Sequence, residues 1–290
     1  MPDGTDRHVA AHAAVHRARD GIRPGSLRFL AALFSGSTQR PLLEAVYAFE
    51  DEVRRIVASA SHEAAHARLQ WWRGELDRLA AGRPEHPLAW ALLPLRGRRD
   101  VDLGLLHEML VAADLDLARM TYASWQELAA YLWRSAGTTQ TLIAATLAGD
   151  QGLAPEEREF ARRLGATVRQ TEMLFDLERD RICGRLYAPL QTLESAGIDP
   201  TVFHGNSSDP AAAAFIADWQ VRVRRGLESL SDILREPSLR SRQRHGLVLA
   251  ALHARWLDRL PASTTPAGKR PELPALSRLW TAWRTAVRCG

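Results

Sequence analysis

Lysine is nearly absent from this chain: of its 38 basic residues only Lys269 is not an arginine. Alanine is abundant as well, the pattern that codon composition in a GC-rich genome produces, so the arginine excess is not read as selection for nucleic acid. The formal net charge is only +4. The arginine clusters (Arg96-Gly97-Arg98-Arg99; Arg222, Arg224, Arg225; Arg240, Arg242, Arg244) lack interleaved stacking aromatics, which argues against a nucleic-acid partner. Cysteine is scarce too. Cys183 and Cys289 cannot build a disulfide framework, so a reducing cytoplasm is expected. Long apolar runs are missing: the longest, Leu88 to Leu95, contains Pro94 and is far too short to span a bilayer. Residues 1–25 lack the apolar core of a signal peptide. The expectation is a cytoplasmic protein, bound to a membrane at most peripherally.

Strand-like alternation is also absent, and helical periodicity fills the chain. It predicts helices over roughly residues 8–20, 25–35, 38–59, 62–82, 86–94, 102–121, 124–148, 155–182, 187–195, 210–235, 239–257 and 274–288. Breakers separate them at Gly82-Arg83-Pro84, Gly149-Asp150, Gly197-Ile198-Asp199-Pro200 and Gly205 to Pro210. Residues 261–274 hold four prolines and read as a linker to a last helix. The fold class is all-α, a single bundle of helices around a central cavity.

A carboxylate ladder lies in the middle of the chain. Glu172, Asp176 and Asp180 recur every four residues, which puts them on one stripe of a helix about 6 Å apart along its axis. Such a stripe repels itself by a few tenths of a kcal/mol per pair. A divalent cation such as Mg²⁺, held by hard oxygens and shared with a phosphate, would offset the repulsion. So would a solvated face neutralised by Arg169, Arg179 and Arg181. Spacing alone leaves both readings open.

The ladder runs from Ala161-Arg162-Arg163-Leu164-Gly165 into Gly184-Arg185-Leu186-Tyr187-Ala188-Pro189. Upstream, in order, stand Arg40 with Tyr47-Ala48-Phe49, then Trp71-Trp72-Arg73 with Glu75-Leu76 and His86-Pro87. Asp114-Leu115-Asp116, Tyr131 and Ala136-Gly137-Thr138 follow. This ordered set resembles the squalene/phytoene synthase family over roughly residues 24–255. The resemblance implies an isoprenoid-synthase bundle over residues 25–260, after an N-terminal extension (1–24) and before a Pro-rich linker and docked C-terminal helix (261–290). It implies catalytic roles for Asp176, Asp180 and Tyr47. Arg185, Tyr187 and Asp116 become substrate-binding candidates, and Glu172, Asp176 and Asp180 become Mg²⁺ ligands.

One departure is large. The family carries a first acidic motif, Asp-Asp-x-x-Asp, after the Tyr-Ala-Phe segment, where this chain reads Arg54-Arg55-Ile56-Val57-Ala58. Glu50 and Asp51 stand four residues earlier, so two i, i+4 salt bridges are expected there. Glu172 replaces an Asn, Arg169 a Gln and Phe175 an Arg. Arg54 and Arg55 then become a candidate bidentate clamp for a diphosphate, or the direct ion-pair partners of the ladder.

Other patterns carry less. His62-Glu63-Ala64-Ala65-His66 matches a zinc-peptidase motif without a recognisable third ligand. His8, His12 and His16 form a stripe near the N-terminus, read as an exposed face. Cys183 has no base-and-orienter pair. Trp71, Trp72, Tyr47 and Phe49 are expected in the core or lining a tunnel. The last helix sets Leu276, Leu279, Trp280, Trp283 and Val287 on one side, the pattern of docking on the bundle or of lying on an anionic membrane. Docking is the expected one.

Two functions follow from the resemblance. One is binding of isoprenyl diphosphates, with Mg²⁺-assisted head-to-head prenyl transfer. The other is a non-catalytic relative, like the family's respiratory complex I assembly branch, whose cavity binds a lipid or nothing and whose surface engages protein partners.

Overall fold

The computed structural model describes residues 22–204, 209–260 and 270–289. Among these residues every regular element is helical. The α-helices are α1 (Leu27–Ala32), α2 (Arg40–Val57), α3 (His62–Ala80), α4 (Pro87–Leu92), α5 (Gly104–Leu117), α6 (Trp125–Leu132), α7 (Thr138–Ala148), α8 (Pro155–Ile182), α9 (Leu190–Ser195), α10 (Pro210–Ile233), α11 (Pro237–Arg242), α12 (Arg244–Leu257) and α13 (Ala275–Arg288). Their starts are local chemistry. Ser26, Ser61 and Ser124 cap α1, α3 and α6 by accepting the N–H three residues on, which satisfies a donor the helix cannot.

α8 is the axis. It packs against α7, α10 and α12, and its apolar side joins Phe160, Leu164, Val168 and Leu174 to the core. A second core, built on α2 to α5 and α7, collects Tyr47, Phe49, Ile56, Leu69, Trp72 and Leu110. Trp72 packs edge-on to Phe49 and His86 with ring centroids 5.1 and 4.9 Å away. Trp71, its neighbour, is instead exposed.

The helix expected over 124–148 continues without a break but widens into a π-helical turn at Trp133–Gly137. Gly165 of α8 lies against it. A side chain there would meet Ala136 O and stand 2.6 Å from Gly137 Cα, so only glycine lets the helices approach this closely. The region expected as one helix over 239–257 splits at Gln243, whose Nε2 donates to Ala144 O (3.2 Å) and Glu157 Oε1 (2.9 Å).

α13 docks on α12 and α1, but not by the expected face. Ala282 and Ala286 are buried, while Leu276, Leu279, Trp280, Trp283 and Val287 are exposed. Small residues allow close helix contact, so the alanine side wins the interface and the bulky side is left outside. His8, His12 and His16 lie outside the described residues.

Candidate functional site

The ladder residues stand on one stripe of α8, as their spacing requires, and all are buried. What faces them is arginine. From α2, Arg54 donates to Glu172 Oε2 and to Glu50 Oε1, both at 2.7 Å. From α1, Arg28 lies 3.0 Å from Glu50, 3.1 Å from Asp51 and 3.8 Å from Glu172. Arg169, one turn earlier on α8, reaches Glu172 at 3.5 Å. Burial opposes charge on Glu172, but Arg54, Arg28 and Arg169 outweigh it and hold the carboxyl well below its usual range.

Asp176 is held from the other side. Arg270 donates from Nε to Oδ1 at 2.6 Å and from Nη2 to Oδ2, a two-pronged grip, and Arg179 adds a 2.6 Å bond to Oδ2. Asp180 differs. Its Oδ2 is buried with no hydrogen-bond partner. Burial pushes its carboxyl up to about 6, and the neighbouring Asp176 charge adds to this against Arg169, Arg179 and Arg185.

This arrangement does not fit the Mg²⁺ that the resemblance implies. No group of three acidic, histidine or cysteine side chains among the described residues is placed to hold a metal ion. Glu172 and Asp176 spend their oxygens on arginines, which leaves Asp180 as a lone donor, and a hard cation needs several oxygens at once. Glu172, Asp176 and Asp180 thus share the expected stripe, with the first two engaged by arginines in an ion-pair lattice.

Two further candidates are displaced. Arg55 does not join Arg54 at the ladder. It pairs with Glu52 at 3.1 Å and is half exposed, because the next position on a helix turns about 100° away. Asp51, its expected partner, pairs with Arg28. Tyr47 is fully buried, with its hydroxyl 2.8 Å from His245 Nε2 and accepting from Gln140 Nε2 at 3.2 Å. Burial lowers His245 to about 4, so its ring is neutral and shares a single hydrogen bond with the Tyr47 hydroxyl. Tyr47 is thus packed in the second core and lines neither of the two cavities described below.

Asp116, Tyr187 and Arg185 do converge. The hydroxyls of Tyr187 and Tyr131 donate to the two oxygens of Asp116 at 2.7 and 3.0 Å. Gly184, with φ +71, ends α8 in the left-handed region and turns the chain back. Arg185 then donates to the carbonyls of Asp116 (3.3 Å) and Val57 (3.1 Å). The signature turn thus ties α8 to α2 and α5.

Asp116, Tyr131 and Arg185 line a cavity of about 530 Å³. Arg54, Arg119, Arg169, Arg179, Arg185 and Arg270 face it, against Glu50, Asp116 and Asp180. Val53, Val57, Met109, Ala113 and Leu117 give it an apolar wall. A second cavity of about 550 Å³, bordered by Arg28, His253 and Trp256, shares Arg54 and Arg270 with the first. The pairs Arg54–Glu172 and Arg270–Asp176 therefore stand between two chambers.

Arg28 and Arg270 carry no site signal in the sequence. Arg270 falls in the proline-rich stretch, where periodicity is silent, and Arg28 sits in a six-residue helix. The zinc-like motif has no such convergence: His62, Glu63 and His66 are exposed, and Glu75 instead accepts from the N–H groups of Glu85 and His86 at 2.7 Å. Cys183 lies at the cavity edge without a base.

Comparison with known proteins agrees with this fold. The model of the squalene/phytoene synthase family matches residues 23–279. The chain is 30% identical over 208 residues to phytoene synthase 3 of Zea mays, covering 68% of this chain and 48% of that one. It is 25% identical over 227 residues to the 15-cis-phytoene synthase of Synechococcus elongatus, covering 72% and 73%. It thus spans about half the length of the plant relative and most of the cyanobacterial one. A crystal structure of a dehydrosqualene synthase in complex with ligand superposes with a TM-score of 0.80 at 15% identity, covering 97% of this chain and 98% of that one. Squalene synthase HpnC from Alicyclobacillus acidocaldarius superposes with a TM-score of 0.66 at 21% identity, over 86% and 96%. The fold is that of the head-to-head prenyl transferases, and on the span of the family match this chain belongs to the squalene/phytoene synthase family.

Proposed function

We propose that this protein binds an isoprenyl diphosphate in the 530 Å³ cavity, with the diphosphate against the arginines and the chain along the apolar wall. The observation that carries this reading is the lining itself. Six arginines face three carboxylates beside an apolar surface, within the roughly 300–1,000 Å³ usual for small-molecule sites. Separating an allylic carbon from its diphosphate leaves high negative charge on the leaving group, which fixed cations stabilise in a dry site. Arg54, Arg179, Arg185 and Arg270 supply those cations here. Their N–H groups suit phosphate oxygens as well as the carboxylates that Arg54, Arg179 and Arg270 now hold and the carbonyls that Arg185 holds. An entering diphosphate competes with Glu172 and Asp176 for Arg54 and Arg270. Head-to-head prenyl transfer is the reaction this site supports. The ion-pair lattice also favours a second reading, a non-catalytic member in which the pairs only hold the fold.

Calorimetry with farnesyl thiodiphosphate, with Mg²⁺ or with EDTA, separates these. Binding that survives EDTA is expected. Binding only with Mg²⁺ would remove the arginine-for-metal reading and keep the ligand. No binding in either condition would leave the non-catalytic reading, and robust squalene or phytoene formation would exclude it.

A further inference from the structure

α13 carries its bulky apolar residues on the side turned away from the protein. Ala282, Ala286 and Cys289 are buried against the domain, and Arg278 Nη1 donates to Gly25 O at 2.8 Å. On the other side Leu276 is 82% exposed, Trp280 58%, Trp283 51% and Val287 60%. These four fall at i, i+4, i+7 and i+11, a single stripe, and the two indoles touch with centroids 5.0 Å apart. Arg284 and Arg288 extend the row that begins at Trp280 and are exposed. The helix holds no acidic residue.

We infer that this face seats on an anionic lipid bilayer. The helix is 14 residues long, about 21 Å, and no helix among the described residues is long and apolar enough to cross a membrane. It therefore lies in the plane of the interface, its leucines and valine in the acyl boundary and its indoles at headgroup level. Arg284 and Arg288, on the flank, reach lipid phosphates. A second copy of the chain is a poorer occupant: paired face to face, two such helices bring arginine edges together with no acidic side chain on either helix to meet them. The face also has a place relative to the site. Arg270, Pro271, Glu272 and Leu273, which lead into α13, line the second cavity, so a bilayer on this helix lies beside that chamber.

The test is flotation of the full chain with phosphatidylcholine vesicles, with and without phosphatidylglycerol, beside W280E/W283E and R284A/R288A. All four side chains are exposed, so thermal melts should match the parent and show that the variants fold. The parent should float with the anionic vesicles and weaken in high salt. W280E/W283E should lose at least tenfold in partitioning, and R284A/R288A should lose several-fold on anionic vesicles only. A parent that stays unbound, or W280E/W283E floating as well as the parent, would overturn the inference. So would a parent that sediments as a dimer while W280E/W283E sediments as a monomer, since the occupant would then be a second copy.

Discussion

Arg54 and Glu172, 118 residues apart in the chain, meet at 2.7 Å between α2 and α8. In the family pattern those two helices face each other with acid on both sides. Here Arg54 stands opposite Glu172, and the two walls bind each other directly. Breaking such a contact from one side strands a buried charge, whereas removing both partners does not. Arg54→Ala should therefore destabilise the protein by about 2 kcal/mol in urea unfolding, less than for a fully buried pair because Arg54 is one-third exposed. Adding Glu172→Gln should restore part of that loss. Arg55→Ala, by contrast, should change both stability and farnesyl thiodiphosphate affinity by less than about 0.5 kcal/mol, because Arg55 faces Glu52 and solvent.

Releasing the ladder should restore its appetite for metal. With Arg54 and Arg270 both changed to alanine, Glu172 and Asp176 lose their strongest partners and Asp180 already has a free oxygen. Titration with Mn²⁺ followed by electron paramagnetic resonance should show a site in this double variant that the unmodified protein lacks. Equal Mn²⁺ binding by both would show that the arginines do not block the ladder.

Tyr47→Phe distinguishes a core hydroxyl from a catalytic one. Loss of the bonds to His245 and Gln140 should cost about 1–2 kcal/mol of stability while diphosphate affinity stays unchanged. A loss of affinity without a loss of stability would return Tyr47 to the site.

Asp180 makes stability depend on pH with a definite sign. Its carboxyl is raised from 3.8 to about 6, so the folded state holds the proton more tightly than the unfolded one. That contribution is fully present below about pH 4 and is lost as pH rises through 6, an effect of up to roughly 3 kcal/mol. Asp180→Asn mimics the protonated form. It should melt at a higher temperature than the parent at pH 8 and at a similar one at pH 4. A parent whose stability rises relative to the Asn variant between pH 4 and 7 would contradict this.

The sequence by itself determined most of the described helices and the spacing of the ladder, while the helix expected over residues 8–20 lies outside the described residues. Helix α8 begins at Pro155 and ends at Ile182, where the periodicity predicts, because proline at its first turn and Gly184 after its end are local signals. The i, i+4, i+8 spacing likewise put Glu172, Asp176 and Asp180 on one stripe, and Arg54 next to Glu50. Only the tertiary structure decided what those charges do. Arg28, Arg54 and Arg270 come from three separate segments, and no local pattern records that they converge on α8. The same limit applies to α13. Periodicity revealed its two faces, but which one docks depends on the close approach that Ala282 and Ala286 allow against α12 and α1, and the leucine-tryptophan face was left outside as a result. Helical signals act within a turn or two of chain, whereas ion pairing and packing are settled between residues a hundred positions apart.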